Sequence, residues 1–151
     1  MEDSVKDGLA SFSLFTVSFT VNNLMHSINW YQCVFGFKII SRNSFKTSTG
    51  WNDVAIIEAG GLRLEFSNLP RENCIETRIA NGPLPLVASG GKSIVLKVND
   101  IALAGMELEK KGVEFVWTEQ LFSENDVLCI TIKDIDGNII NIFQSAAILN
   151  K

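Results

Sequence analysis

The chain has 151 residues, of which 46% are hydrophobic and 20% charged, and it carries a net charge of −4. This composition is typical of one globular domain, or of two small halves that share a core. The acidic balance and the lack of a basic stripe argue against nucleic acid or anionic membrane as the main partner. Residues 1–11 lack a signal-peptide pattern and no apolar run approaches ~18 residues, so we expect neither export nor membrane insertion.

Three cysteines, Cys33, Cys74 and Cys129, are an odd number and have no metal-ligand spacing. A disulfide framework in a small secreted chain usually shows an even set. We therefore expect a reduced, cytoplasmic location.

The first half of the chain, after a tail at residues 1–12, predicts a βαβββ unit over residues 13–67. Alternating apolar and small polar residues from Ser13 to Val21 predict a strand. Asn22 and Asn23 offer N-cap side chains to a helix from about Leu24 to Val34, which Gly36 ends. Three further strands complete the unit: Phe37–Phe45, Trp51–Glu58 and Leu62–Ser67, the last two joined by a turn at Gly60-Gly61.

The long stretch at residues 68–91 contains three prolines and the pairs Asn81-Gly82 and Gly90-Gly91. These residues interrupt regular structure and predict a linker. Because it is long for a connection inside a compact domain, we expect either a short helix around Glu72–Ile79 or a segment that covers another part of the protein.

The same pattern of elements returns over residues 92–144, before a tail at 145–151. Asp100 caps a predicted helix from Ile101 to Lys111, which Gly112 ends. The pair Asp136-Gly137 favours a tight turn, because glycine adopts positive φ at no steric cost. The strands predicted in this half are Lys92–Val98, Val113–Trp117, Val127–Lys133 and Asn138–Phe143.

Two matches between the halves indicate an internal duplication. Gly137 falls on Gly61 at an offset of 137 − 61 = 76, and Asn141 falls on Glu65 at the same offset. The run Val21-Asn22-Asn23-Leu24 falls on Val98-Asn99-Asp100-Ile101 at 98 − 21 = 77. The predicted fold is therefore α+β, with two tandem βαβββ modules related by a pseudo-twofold axis.

Each module has one helix, which can cover only one face of its sheet. The other two faces predict a cleft between open, curved sheets that suits a small molecule. The residues expected in this cleft are Thr16, Ser18, Trp51, Arg63 and Glu65 from the first module and Ser93, Lys97, Cys129, Asn141 and Phe143 from the second.

Four segments of the chain carry a family signature. They are F-T-V-N-N-L-M-H-S-I-N-W-Y-Q-C-V-F-G-F-K-I-I at 19–40, V-L-K-V-N-D-I at 95–101, K-G-V-E-F-V at 111–116 and K-D-I-D-G-N-I-I-N-I-F at 133–143. In this order they resemble the vicinal oxygen chelate superfamily, which includes glyoxalase I, extradiol dioxygenases and bleomycin-resistance proteins. The resemblance covers about residues 13–144 and implies the tandem βαβββ fold of that superfamily.

Enzymes of this superfamily hold a divalent metal through His or Glu on the first and last strands of each module. The resemblance places these positions at Thr16, Glu65, Ser93 and Asn141, and of these only Glu65 is a competent ligand. The single histidine, His26, lies in the first predicted helix on a side turned away from the cleft. We therefore predict no metal and no other cofactor.

Three of the cleft residues have more than one interpretation. Glu65 is either a general base in a metal-free site or a carboxylate balanced by Arg63 or Lys97. Lys97 either meets an anionic ligand or extends along the rim with its ammonium group in water. Trp51 either stacks on a planar ligand or packs in the core. Cys129 has no histidine base available, so we do not assign it as a nucleophile.

The resemblance and the missing metal ligands favour a metal-free protein that binds a small molecule, of the glyoxalase and bleomycin-resistance type. The acidic balance would suit a cationic ligand. Open sheets with uncovered edges predict a homodimer. Two alternatives stay open: a lyase-like or dioxygenase-like enzyme with an atypical metal site, and an interaction module whose cleft is filled by its own side chains.

Overall fold

The computed structural model describes residues 8–48, 50–68, 92–122 and 127–144, and for 117–122 and 127 it describes the backbone alone. The predicted linker beyond Asn68, the helix expected around Glu72–Ile79 and the tail at 145–151 lie outside these residues. Within them, no helix is long and apolar enough to cross a membrane.

Two βαβββ modules follow one another along the chain, as the sequence predicts. The first contains β1 (Val17–Val21), α1 (Leu24–Phe35), β2 (Lys38–Thr47), β3 (Gly50–Ala59) and β4 (Leu62–Asn68). The second contains β5 (Ser93–Val98), α2 (Ile101–Lys110), β6 (Glu114–Phe122), β7 (Val127–Lys133) and β8 (Ile139–Gln144). A 3-10 turn at Gly8–Ser11 precedes the first module.

The two modules form four-stranded sheets with equivalent strand orders, β1-β4-β3-β2 and β5-β8-β7-β6. In each sheet the first strand runs parallel to the last strand of its module. Val17 lies opposite Leu64, and Ile94 lies opposite Ile140. The second pair is the first pair shifted by the sequence offsets, 94 − 17 = 77 and 140 − 64 = 76, so the two sheets have the same register. Because β1 and β5 each stand at the end of the strand order of their sheet, both are edge strands.

Both helices begin at the predicted N-caps. The Asn23 side chain accepts a hydrogen bond from the backbone N–H of His26 at 3.1 Å, and Asp100 accepts one from Leu103 at 3.0 Å. These bonds satisfy backbone donors that the first turn of a helix leaves unpaired. α1 ends at Gly36, whose φ of 72° is a left-handed conformation that glycine adopts without strain.

The β7–β8 connection differs from the tight turn predicted at Asp136-Gly137. Residues 134–138 form this connection, so it is longer than a two-residue turn. The Asp134 carboxylate accepts hydrogen bonds from the backbone N–H groups of Asp136 and Asn138, at 2.9 and 2.8 Å, and these bonds hold the wider loop. A two-residue turn occurs instead at Gly60-Gly61 in the first module, where both glycines have positive φ.

One hydrophobic core collects side chains from the helix-facing sides of both sheets. In the first module Tyr31 of α1 meets Phe66 of β4, with ring centroids 5.1 Å apart. Fully burying a large apolar side chain contributes about 1.5–3 kcal/mol, so this shared core is the main stabilising term. Its most deeply buried members are Ile28, Tyr31, Ile57, Leu64, Phe66, Ile101, Ile130, Ile132, Ile140 and Ile142.

β1 begins at Val17, later than the start predicted at Ser13. Val17 pairs with Leu64, and β4 itself starts at Leu62, so the residues before Phe15 have no partner in this sheet. Apolar side chains ahead of the strand are consequently uncovered: Leu9, Phe12 and Leu14 are 88%, 84% and 83% exposed.

The loop between β7 and β8 fastens the second module to α1 of the first. The Tyr31 hydroxyl donates to Asp134 Oδ2 at 2.6 Å, and the Ser27 hydroxyl donates to Asp136 Oδ2. The backbone N–H of Asn22 also donates to Asp136, at 3.2 Å to Oδ1. We name Ser27, Tyr31, Asp134 and Asp136 the module clasp.

Burial sets the electrostatics of the module clasp. It raises the pKa of the Asp134 carboxyl, while the hydrogen bonds from Tyr31 and Asn138 act in the opposite direction. Burial also raises the pKa of the Tyr31 phenol, and the Asp134 charge raises it further. A buried carboxylate is costly unless its oxygens are hydrogen-bonded, so the Tyr31 hydroxyl supports Asp134 as well as joining the modules.

Removing that hydroxyl tests the clasp. Tyr31→Phe keeps the ring in the core but leaves Asp134 one donor short, so we expect the free energy of unfolding to fall by about 1–3 kcal/mol. Urea unfolding followed by circular dichroism measures the change. As a control, Ser44→Ala removes an exposed hydroxyl that donates to Asp53, and it should cost less than about 0.5 kcal/mol. Equal losses in the two variants would contradict the role given to Asp134.

Candidate functional site

The open face of the first sheet, away from α1, brings together four of the predicted cleft residues. Ser18 lies opposite Glu65 in the β1–β4 register, and its hydroxyl donates to Glu65 Oε1 at 2.9 Å. Thr16, directly before β1, donates to the backbone carbonyl of Arg63 at 3.2 Å. This face is accessible, since Ser18 is exposed and Glu65 only half-buried.

Arg63 makes its ion pair with Glu58, from Nη2 to Oε1 at 3.6 Å, while Glu65 is held by the hydroxyl of Ser18. Both side chains of the ion pair are partly exposed, so the pair contributes at most about 1 kcal/mol. The guanidinium also lies 5.9 Å from the ring centroid of Phe15. The guanidinium of Arg63 therefore interacts with Glu58 and with the ring of Phe15.

The open face of the second sheet is partly closed. Cys129 and Thr131 are each 1% exposed, although their register with Phe143 and Asn141 places them away from α2. The Thr131 hydroxyl donates to Asn141 Oδ1 at 2.8 Å, and Cys129 Sγ lies 3.9 Å from Thr131 Oγ1. Burial raises the pKa of the Cys129 thiol, so little thiolate forms and a packing role is favoured over a nucleophilic one.

The remaining predicted residues are spread over the two sheets. Ser93 and Lys97 are exposed on β5, and Phe143 is half-buried on β8. Trp51 shares its strand alternation with the buried residue Ala55, so it lies on the other face of β3 from the Glu65 group. Its side chain is 70% exposed, which places it outside the core as well.

The four positions that hold metal in related enzymes carry a donor set that does not fit a transition metal. Thr16, Glu65 and Asn141 each have a hydrogen-bond partner within their own sheet, and Ser93 offers a neutral hydroxyl. Hydroxyl and amide oxygens are weak ligands for the metals that imidazole and carboxylate bind well. In the part of the chain that the structure describes, no group of three or more His, Cys, Asp or Glu side chains could hold a metal ion.

A cavity of about 980 Å³ lies between the two modules, and we name it the seam cavity. Its walls come from β1, the end of α1, the β3–β4 hairpin, β4, β8 and the whole of β5. Ser93 and Lys97 are the two predicted cleft residues that line it. The apolar side chains that make up most of the wall are Val17, Phe19, Phe35, Phe37, Leu62, Leu64, Ile94, Leu96, Val98 and Ile142.

Sequence reasoning missed the seam cavity because its two main walls lie far apart in the chain. Alternation marks Val17 and Phe19 as the helix-facing side of β1, where Phe19 does meet the ring of Phe66 at 6.4 Å. It also marks Ile94 and Leu96 as the equivalent side of β5. The pattern cannot show that the two edges face a common space, so no local motif could have revealed the cavity.

Comparison with known proteins identifies the family. A model of the Glyoxalase/Bleomycin resistance protein/Dioxygenase superfamily matches residues 13–142. The chain belongs to this superfamily. The match includes both modules and confirms the resemblance found in the four sequence segments. A search of curated proteins finds no match.

Solved structures of superfamily members share the fold. A glyoxalase family protein from Enterococcus faecalis superimposes with a TM-score of 0.69 at 17% identity, over 89% of this chain and 99% of that one. The lactoylglutathione lyase from Agrobacterium tumefaciens gives 0.63 at 14% identity, over 92% and 97%. TioX from Micromonospora sp. ML1 gives 0.61 at 17% identity, over 88% and 98%. At these identities the similarity shows the fold alone.

The donor set predicts that the protein purifies without a stoichiometric transition metal. Elemental analysis of protein prepared without chelator should find far less than one Zn, Ni, Mn or Fe per chain. A value near one metal per chain in the natural protein would overturn the prediction.

Proposed function

We propose that the protein binds a small organic molecule in the seam cavity and does so without a transition metal. The cavity is the observation that carries this proposal. Its volume of about 980 Å³ lies at the upper end of the ~300–1,000 Å³ that is typical of small-molecule sites. Because most of its wall is apolar, affinity would come from apolar area removed from water, at about 25 cal/mol per Å².

The open sheet faces support ligand binding less well than the seam cavity does. On the first sheet the Ser18–Glu65 pair is accessible but is not part of the cavity wall. On the second sheet the buried Cys129 and Thr131 leave little room beside Asn141. The superfamily includes bleomycin-resistance proteins, and holding a drug or a metabolite is the role that we propose for this member. A cytoplasmic location belongs to the proposal, since Cys33 and Cys129 are free thiols.

A thermal-shift screen of apolar and amphipathic compounds tests the proposal. A ligand that binds only the folded state raises the melting temperature by mass action. Filling the cavity with Ala59→Trp, or with Leu96→Trp if the first variant is unstable, should abolish the shift, because both residues line the cavity on the helix-facing side of their strands. Circular dichroism of the variants checks that they fold.

Glu65→Gln is the matched control for this screen. Glu65 lies on the open face, so ligands of the seam cavity should bind this variant unchanged. A hit that is weakened by about 1–3 kcal/mol in Glu65→Gln and is insensitive to Ala59→Trp would move the site to the open face. If no compound of the panel binds the folded natural protein, the proposed function fails.

We also propose that the protein is a homodimer. Leu9, Phe12, Leu14 and Phe15, in the short segment before β1, are large apolar side chains that are each at least 63% exposed. Several large apolar side chains exposed in one short segment mark a surface for interaction. A second copy of the same segment would cover these side chains by symmetric contact.

Sedimentation equilibrium at micromolar concentration should therefore give the mass of a dimer. Leu14→Glu places a charge in the proposed interface, and it should weaken association by about 2 kcal/mol or more. Leu103→Glu is the control, since Leu103 is an exposed apolar residue on α2 and should leave the mass unchanged. A monomeric natural protein, or an equal effect of both variants, would contradict the proposed interface.

A further inference from the structure

The seam cavity is elongated along strand β5. All consecutive residues from Lys92 to Val98 line it, regardless of which face of the sheet their side chains occupy. A strand does this when its edge, rather than one face, borders the space, and β5 is an edge strand of its sheet. At about 3.3 Å per residue, the stretch spans roughly 20 Å. The cavity therefore suits a long, narrow ligand better than a compact one.

The wall opposite β5 is apolar. β1 contributes Val17 and Phe19, and the end of α1 with the following residues contributes Phe35 and Phe37. Aromatic and aliphatic walls of this kind favour a hydrocarbon body in the ligand, because each covered apolar atom is removed from water. The ligand should therefore have an extended apolar part.

The charges at the cavity are positive. Lys92 and Lys97 are the charged residues among those that line it, and both are exposed. Neither has an ion-pair partner in the described part of the chain. An anionic group on the ligand would supply that partner.

The positive local charge is opposite to the net charge of −4 of the whole chain. Charges further than about 8–10 Å apart are largely screened at physiological ionic strength. The two lysines at the cavity therefore outweigh distant carboxylates in selecting the ligand. The cationic ligand expected from the overall charge is disfavoured at this site.

We infer that the seam cavity takes an elongated amphipathic anion, such as a medium- or long-chain carboxylate. This inference rests on the proposed ligand-binding function and specifies the chemical class of the ligand. The apolar chain lies along β5 between the two modules, and the carboxylate meets Lys92 or Lys97 at one end of the strand.

Three probes with the same alkyl chain and different head groups test the charge preference. They are dodecanoate, dodecyltrimethylammonium and dodecyl maltoside, each titrated below its micelle concentration and followed by calorimetry. The anion should bind most tightly, and its affinity should fall as salt is raised while that of the neutral probe changes little. The same order should hold when melting temperatures are measured.

Charge variants locate the head group. Lys92→Gln and Lys97→Gln should each weaken dodecanoate by about twofold to fivefold, and the double variant by more, because exposed charge pairs contribute modestly. Lys97→Glu should weaken it further and improve the cationic probe. Lys110→Gln removes an exposed lysine of α2 that does not line the cavity, and it should leave all three affinities unchanged.

The outcomes separate this inference from the function on which it rests. If the three probes bind equally and Ala59→Trp abolishes binding of all of them, the cavity binds ligands but the anionic preference is overturned. If none binds the folded protein, both ideas fail. If dodecanoate binding weakens as protein concentration rises, a second copy of the chain competes for the cavity, and the assignment of a small anion as its occupant is overturned.

Discussion

A buried carboxylate, Asp134, holds the second module to the first helix of the first. It accepts hydrogen bonds from two backbone N–H groups of its own loop, from Asn138, and from the hydroxyl of Tyr31 across the module boundary. Without those donors, burial of the carboxylate would cost more free energy than a single contact between the modules contributes. The loop, the helix and the shared core are therefore mutually dependent. Through them the edges of β1 and β5 come to line one cavity.

The duplicated modules keep their register but use their open faces differently. In the first sheet Ser18 and Glu65 form an accessible hydrogen-bonded pair, while in the second Thr131 and Asn141 form a pair beside the buried Cys129. Both pairs join adjacent strands, and each includes one position, Glu65 or Asn141, that the family resemblance assigns to a metal ligand. Local hydrogen bonds thus stabilise the open faces, and the seam cavity between the modules is the ligand site that we propose instead.

Net charge and local charge point to different ligands in this protein. The chain is acidic as a whole, yet the seam cavity is bordered by Lys92 and Lys97. Pairing with a lysine at short range is screened less than the field of distant carboxylates. Whole-chain charge therefore bears on nucleic acid and membranes, because such partners contact much of the protein surface. It is a poor guide to a small ligand of the kind proposed here, which would contact only Lys92 or Lys97.

Local patterns in the sequence are sufficient to predict the helices, the strands and their repetition. Asn23 and Asp100 cap the helices as predicted, Gly36 ends α1, and the offset between Gly61 and Gly137 reproduces the register of the two sheets. These features depend on neighbours along the chain or on alternation within one strand, which periodicity records. The family followed from the same segments, since four motifs in order identify a fold.

The seam cavity depends on how the two modules pack against each other, which sequence patterns do not record. Alternation assigned Val17 and Phe19 to the helix side of β1 and Ser93 and Lys97 to the open side of β5, but it carried no information on how one module sits against the other. That arrangement depends on contacts such as Tyr31 with Asp134, whose partners are distant in sequence and leave no periodic signal. The length of the β7–β8 loop and the exposure of Trp51 also depend on neighbours in space, so sequence patterns do not predict them.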